Sequence, residues 1–493
     1  MKIEDDEFEG DSSVAFQVEE KTVKETVPDG VDPNLVQWDG DDQEDAKNMS
    51  IVRKWAITIL LSSSALQTTA LNTTWNGPSE QIIEKFNSSH EVSVLGVSLF
   101  VFCCALGPIL IAPLSELYGR WPLYLVSLIL YIVFQLPTAF GQNMATLIVG
   151  RALAGLMGSV SLSNVPGTIS DIFYPDQLGM PMTTFTACSF LGPCIGPVLG
   201  GFIAQNAGFR WVFYVFLIWS GVITIAFLFL VPETYPDILL VKKAKRLRKE
   251  TGNQELYAPW EKREKNVLKT TLQSAARPLI LMREPMVTLL CVYSGFLMAI
   301  IYLFVVAYPL VFTEVYGFDT QMVGLTFMAQ GVGIIIAAFS SHWWNKYYNL
   351  RVRRNGGISE PEFRLPQIIL GGLLPPIGLF MFAWTVYPSI HFIIPLIGGA
   401  IFGAGYYLTF NGVLSYLVQA YNKYSASVIA VNVCIRGVLC AAFPLFGKQM
   451  FDRLGFHWAL SLLGFLSVIM SPMGLLFYRY GKRIRTHSEY ATI

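Results

Sequence analysis

The sequence predicts an all-α membrane protein of twelve spans, arranged as two pseudo-symmetric six-helix halves. Its mean hydropathy is +0.47, and 53% of its 493 residues are hydrophobic against 14% charged. A soluble chain carries about 25% charged residues, and here the missing charge is missing in blocks. Each block approaches the roughly 20 apolar residues that cross a bilayer. The blocks divide six and six around one long polar, cationic stretch, as in a chain built from two repeated bundles.

Taken in order, the first-half spans are expected at about 54–75, 93–113, 121–141, 145–170, 181–204 and 210–232. The second-half spans are expected at about 285–312, 319–342, 366–387, 391–418, 425–448 and 455–478. The remaining segments are an acidic, disordered tail (1–53), a basic linker (233–284) and a short second tail (479–493). The chain opens MKIEDDEFEG, acidic where a cleavable signal would be basic and then apolar, so the first span is expected to act as its own insertion signal.

Lysine and arginine set the orientation. They crowd the linker (Lys242 to Arg283), the connection after the eighth span (Lys346, Arg351, Arg353, Arg354, Arg364) and the C-terminal tail (Arg479, Lys482, Arg483, Arg485). An even number of spans puts all three on one side with the N-terminal tail, and the positive-inside rule makes that side cytoplasmic. Asn87-Ser88-Ser89 is then a glycosylation sequon in the first outside loop. Asn72-Thr73-Thr74 also matches, too near the membrane to serve.

Lysine plus arginine and aspartate plus glutamate are equal at 35 each, so the total offers nothing to nucleic acid. The seven cysteines all fall in apolar blocks with no histidine at ligand spacing, and read as small packing residues. No phosphate-cradling glycine loop with its lysine and no metal pattern is present, so neither an enzyme nor a cofactor or metal is expected.

Four motifs carry chemistry. In the turn after the second span, Glu116 stands three residues before Gly119-Arg120. A carboxylate there can accept hydrogen bonds and hold an arginine across helix ends, making a conformational latch; the plainer reading is a turn with ordinary flanking charges. Arg151 lies within the fourth span and Arg436 within the eleventh. A charge in lipid costs several kcal/mol and faces a cavity or partner, unless it snorkels to the interface. The fifth span carries Gly192, Gly196, Pro197, Gly200 and Gly201, a glycine face that permits close helix contact with prolines that kink it. Aromatic residues crowd the seventh and tenth spans, among them Tyr302, Tyr406 and Phe410. They either stack on a solute or pack among themselves. With Asn164, Asn411 and Arg436 they are the candidates for solute contact.

Together these motifs resemble the major facilitator superfamily and, within it, the fungal drug:proton antiporters of twelve spans. The most specific pieces are Pro113-Leu114-Ser115-Glu116-Leu117-Tyr118-Gly119-Arg120, Arg210-Trp211-Val212-Phe213-Tyr214, Pro232-Glu233-Thr234-Tyr235-Pro236 and Pro361-Glu362-Phe363-Arg364-Leu365. The resemblance implies the major facilitator fold and export of drugs, polyamines or related amphipathic compounds in exchange for protons, with the proton gradient as energy source. It marks the fifth-span glycines as the antiporter motif and associates Arg151 with proton coupling. Ala112 and Trp121 depart from the usual loop motif. No Asp or Glu sits deep in a span, which leaves Glu116 and Asp171, near the cytoplasmic ends, as proton carriers. The expected protein is a plasma-membrane monomer that exports small amphipathic compounds; a nutrient facilitator or importer, or a polyamine exporter, is the alternative.

Overall fold

Apolar runs of this length fold as helices because lipid offers no partner to a backbone N–H or C=O. A computed structural model of the chain describes residues 32, 34–38, 42, 44–174, 177–262, 277–278, 280–421, 424–486, 488 and 490, with the side chains of 112, 113, 116 and 426 outside that description. The first six spans are Ile51–Thr74, His90–Tyr118, Arg120–Phe140, Met144–Ile172, Gly179–Ala207 and Phe209–Leu230. The seventh to tenth are Pro285–Tyr316, Thr320–Arg354, Leu365–Thr385 and Ile393–Ala420. One helical stretch, Ser425–Met470, holds the eleventh span and the start of the twelfth, which continues through Met473–Arg485.

Two local devices follow from residue chemistry. The turn between the fifth and sixth spans and that between the eleventh and twelfth each rest on one glycine with nearly the same backbone, Gly208 (φ 86, ψ 164) and Gly455 (φ 72, ψ 163). Only glycine adopts that conformation without strain, and the recurrence at equivalent places in the two halves marks the repeat. The fourth span breaks its helical bonding at Ser159 and Asn164. Pro166, two residues on, has no N–H to give the preceding turn.

Several helices outrun the expected spans on the side bearing the cationic loops (the basic face): the second reaches Tyr118, the eighth Arg354 and the twelfth Arg485. Hydropathy marks where lipid ends, and a helix continues into water when its residues favour it.

The expectation of a disordered tail through residue 53 needs correction for its described part, while 1–31 lie outside the described residues. Helix Pro236–Thr251 of the linker carries Leu240 and Ala244, which close a small core with Val36 and Ala258. Leu35 pairs with Tyr257 as an isolated bridge. Lys243 sits 2.6 Å from Asp42 and donates to the Gln37 carbonyl at 2.8 Å, and that hydrogen-bonded ammonium holds the Asp42 carboxyl below the usual range. Low apolar content is a poor sign of order here, because linker and tail supply each other's missing surface.

The halves meet along two seams, the second span against the eleventh and the fifth against the eighth. Away from the basic face the second seam is tight. A Cβ on Gly201 would lie 2.6 Å from the Thr320 carbonyl, and one on Gly324 would lie 2.6 Å from that of Pro197. Gln205 donates to Asp319 (3.2 Å) and accepts from the Gln321 amide (3.1 Å) at the same end. Toward the basic face these helices part around a cleft of about 990 Å³ bounded by Thr183, Cys188, His342, Asn345 and Arg353. The fifth and eighth spans are thus pressed together at the Gly201–Thr320 end and parted on the basic face.

Candidate functional site

Between the halves lies a cavity of about 110 Å³. The first half lines it with Thr68, Thr69 and Asn72 of the first span, Phe100 of the second, and Ser189 and Phe190 of the fifth. Across it stand Met298 and Tyr302 of the seventh span, Phe410 of the tenth, and Asn432 and Arg436 of the eleventh. The surface is mainly apolar with amides and hydroxyls, and its lining holds no Asp or Glu. Phe190 reaches over from the fifth span to meet Phe410 edge-on at 4.7 Å and Tyr406 at 5.1 Å, so rings of both halves form one wall.

Three expected solute contacts, Tyr302, Phe410 and Arg436, thus line the cavity. Three do not. Tyr406 is fully buried behind Phe410, its hydroxyl 2.6 Å from the Met298 sulfur. Asn164 is buried at the helix break, and Asn411, its neighbour in sequence to Phe410, lies outside the lining. Aromatic and amide content cannot tell which side of a helix faces the cavity when lipid and protein are equally apolar. Phe190, Asn72, Thr69 and Ser189 are lining residues that sequence reasoning missed. Asn72 stood out only as a sequon; it is 1% exposed and belongs to the interior.

Arg151 is corrected most. It is 1% exposed and does not line the cavity. Its guanidinium donates to the carbonyls of Gly96 (2.7 Å), Asn72 (2.9 Å) and Leu71 (3.4 Å) and to the Asn72 side chain (3.3 Å). It also lies over the rings of Trp75 (4.7 Å) and Phe100 (5.1 Å). Leu71 and Asn72 occupy the last turn of the first span, whose carbonyls lack helical partners and form its negative end. A cation is well placed there, and it stands one residue behind the cavity through Asn72 and Phe100.

At the basic end, Arg120 pairs with Asp171 at 3.1 Å and donates to the Ser115 hydroxyl at 2.9 Å. It lies so close over Gly167 that a Cβ there would be 2.7 Å from its nitrogen. The Glu116 side chain lies outside the described residues. Among the described residues, Glu233 from beyond the sixth span brings a carboxylate to this turn. It accepts from the amides of Arg120 (3.0 Å), Trp121 (3.2 Å), Thr234 (2.9 Å) and Tyr235 (3.0 Å), capping the third span. A side chain at Gly119 (φ 98) would strike this carboxylate.

Arg120, Ser115, Asp171 and Glu233 together form a brace within the first half, tying the ends of spans two, three, four and six. The second half has a counterpart with its charges exchanged. Glu362, before the ninth span, accepts two parallel bonds from Arg485 at the end of the twelfth (3.0 and 2.9 Å), both side chains being nearly buried. Glu233→Gln, which keeps the shape but removes the charge of a four-donor acceptor, should destabilise the protein by about 1–2 kcal/mol. Unchanged thermal stability of the purified variant would remove Glu233 from the brace.

Gly192, Gly196 and Gly200 of the fifth span face the first span. A Cβ on Gly192 would lie 2.7 Å from the Thr69 Cβ, one on Gly196 3.0 Å from the Thr74 amide, and one on Gly200 2.6 Å from the Thr74 carbonyl. Thr74 also donates to the Gly196 carbonyl at 2.9 Å. All seven cysteines are free.

Residues 57–444 match the sequence model of the Major Facilitator Superfamily. The chain belongs to that superfamily. It is 40% identical over 97% of its length, and 94% of the relative's, to a probable drug/proton antiporter, YHK8, of Saccharomyces cerevisiae. It is 41% identical to the efflux pump atB of Aspergillus terreus, covering 93% of this chain and 90% of that one. It is 39% identical to the multidrug transporter mdrA of Aspergillus fumigatus, over 93% of this chain and 76% of that one. Among solved structures, the xylose transporter XylE from E. coli superposes with a TM-score of 0.63 at 16% identity, over 87% of this chain and 98% of that one. That likeness concerns the major facilitator fold of two six-helix bundles; membership of the superfamily makes the protein a multi-pass membrane transporter.

Proposed function

We propose that this major facilitator exports small amphipathic compounds in exchange for protons, by alternating access of the central cavity. The observation that carries the reading is the cavity itself: shared by both halves, walled by rings, dotted with amides and hydroxyls and free of carboxylates. Such a lining holds a flat apolar body by stacking and a few hydrogen bonds. Relatives named drug/proton antiporter and efflux pump, at about 40% identity over nearly the whole chain, support the direction and the coupling. The basic face is the cytoplasmic one by the positive-inside rule, so both termini and the cleft between the fifth and eighth spans are cytoplasmic. The exposed Asn87, on the other face, is the site for a glycan. The protein acts as a monomer in the plasma membrane.

Asp171, in its ion pair with Arg120, is the carboxylate proposed to exchange the proton, with Glu116 in the same turn as the second candidate. Arg151 acts on the cavity indirectly, by fixing Asn72 and Phe100. Polyamines are poor candidates, because several positive charges need carboxylates to offset their desolvation and the lining offers an arginine instead. Cells overexpressing the protein should resist planar drug-like compounds more than spermine, and a protonophore should abolish the extrusion. Protonophore-insensitive accumulation of a nutrient would replace the exporter by a facilitator.

A further inference from the structure

The central cavity carries one fixed charge, and it is positive. Among the described residues that line it, Arg436 is the one Asp, Glu, Lys or Arg. No ion pair to Arg436 occurs among the described residues. Its neighbours are neutral: the ring of Phe410, 4.9 Å from the guanidinium carbon, and the Tyr406 side chain behind it. The other intramembrane arginine shows what a structural guanidinium looks like in this protein: Arg151 is sealed among backbone carbonyls and away from the cavity. Arg436 is half-buried on the cavity wall, with Asn432 one helical turn before it.

A guanidinium on a mainly apolar cavity wall within the membrane is costly unless an anion meets it. The face of Phe410 offsets part of that cost while the cavity is empty. The planar guanidinium fork matches a carboxylate in two parallel bonds. We infer that the exported compounds include amphiphiles with a flat apolar body and a single acidic group, the acid pairing with Arg436 and the body lying against Phe190, Phe410 and Phe100. Asn72, Asn432 and Tyr302 can share the oxygen atoms that the guanidinium leaves. The inference rests on the exporter reading above and narrows its substrate class.

The test uses a matched pair, 2-naphthoate and 2-naphthamide, with the full chain in proteoliposomes under an imposed pH gradient. The wild type should export both, the acid with the lower KM. Arg436→Gln should raise the KM for the acid by about 10-fold or more, the worth of a charged hydrogen bond, and leave the amide within about 2-fold. Arg436→Lys should recover part of the loss. Equal loss of acid and amide in Arg436→Gln would make Arg436 structural and overturn the inference. Proton-driven export of the amide alone by the wild type would overturn the acidic class while leaving the exporter intact. Export of neither would overturn both.

Discussion

Arg151→Ala should abolish export and destabilise the protein by about 3 kcal/mol or more, with the thermal midpoint and the transport rate falling together. The side chain is fully buried, and its guanidinium serves carbonyls of Leu71, Asn72 and Gly96. Truncation leaves the end of the first span without its cation, strands acceptors in an apolar interior and opens a void between Trp75 and Phe100. A residue that only relayed protons from the cavity surface would behave differently: its alanine variant would fold normally and lose coupling alone. Arg151→Lys keeps the charge but not the fork, and should fall between the two. Full stability of Arg151→Ala in detergent, with coupling lost, would restore the cavity-facing role expected from the sequence.

Gly200→Ala should already cripple the transporter. The new methyl would sit 2.6 Å from the Thr74 carbonyl oxygen, and that neighbour is backbone, so it cannot swing aside. Relief requires the first and fifth spans to separate, at a cost of about 1–3 kcal/mol. The shift would reach Thr69 and Asn72 on the cavity wall. Gly200→Leu should prevent accumulation of folded protein. Gly221→Ala is the internal control: nothing lies within 4 Å of a Cβ there, and replacing a helical glycine by alanine should be neutral or stabilising. Equal thermal stability of Gly200→Ala and Gly221→Ala would show that the fifth-span glycines serve flexibility instead of contact.

The basic-end brace shows how a motif can be legible while its partners are not. Gly119-Arg120 stood out in sequence with Glu116, three residues away, as the evident carboxylate. Folding also delivers Asp171 from 51 residues on and Glu233 from 113 residues on. Chain-local spacing identifies turns and charges, whereas the choice among distant carboxylates belongs to the way spans two, three, four and six converge. Glu233 did have a signal, the Pro232-Glu233-Thr234 run, though nothing in it named the helix it would cap. The Glu362–Arg485 pair was legible only as two members of separate cationic and loop motifs.

What the sequence determined by itself was everything that depends on solvent partition and local chain chemistry. Runs of apolar residues must cross lipid as helices, so the number of spans, their approximate limits and their six-plus-six division follow from composition along the chain. The glycine face of the fifth span was visible because helical periodicity is local. What the tertiary structure alone decided was direction. In a bilayer, lipid-facing and protein-facing surfaces are nearly equally apolar, so no pattern of apolar and polar residues says that Phe190 enters the cavity wall while Asn411 does not. Nor does it say that Arg151 turns to the end of the first span while Arg436 faces the cavity. Those two arginines look alike in sequence. Their difference lies in which carbonyls the packing of helices brings within reach from 55 and more residues away.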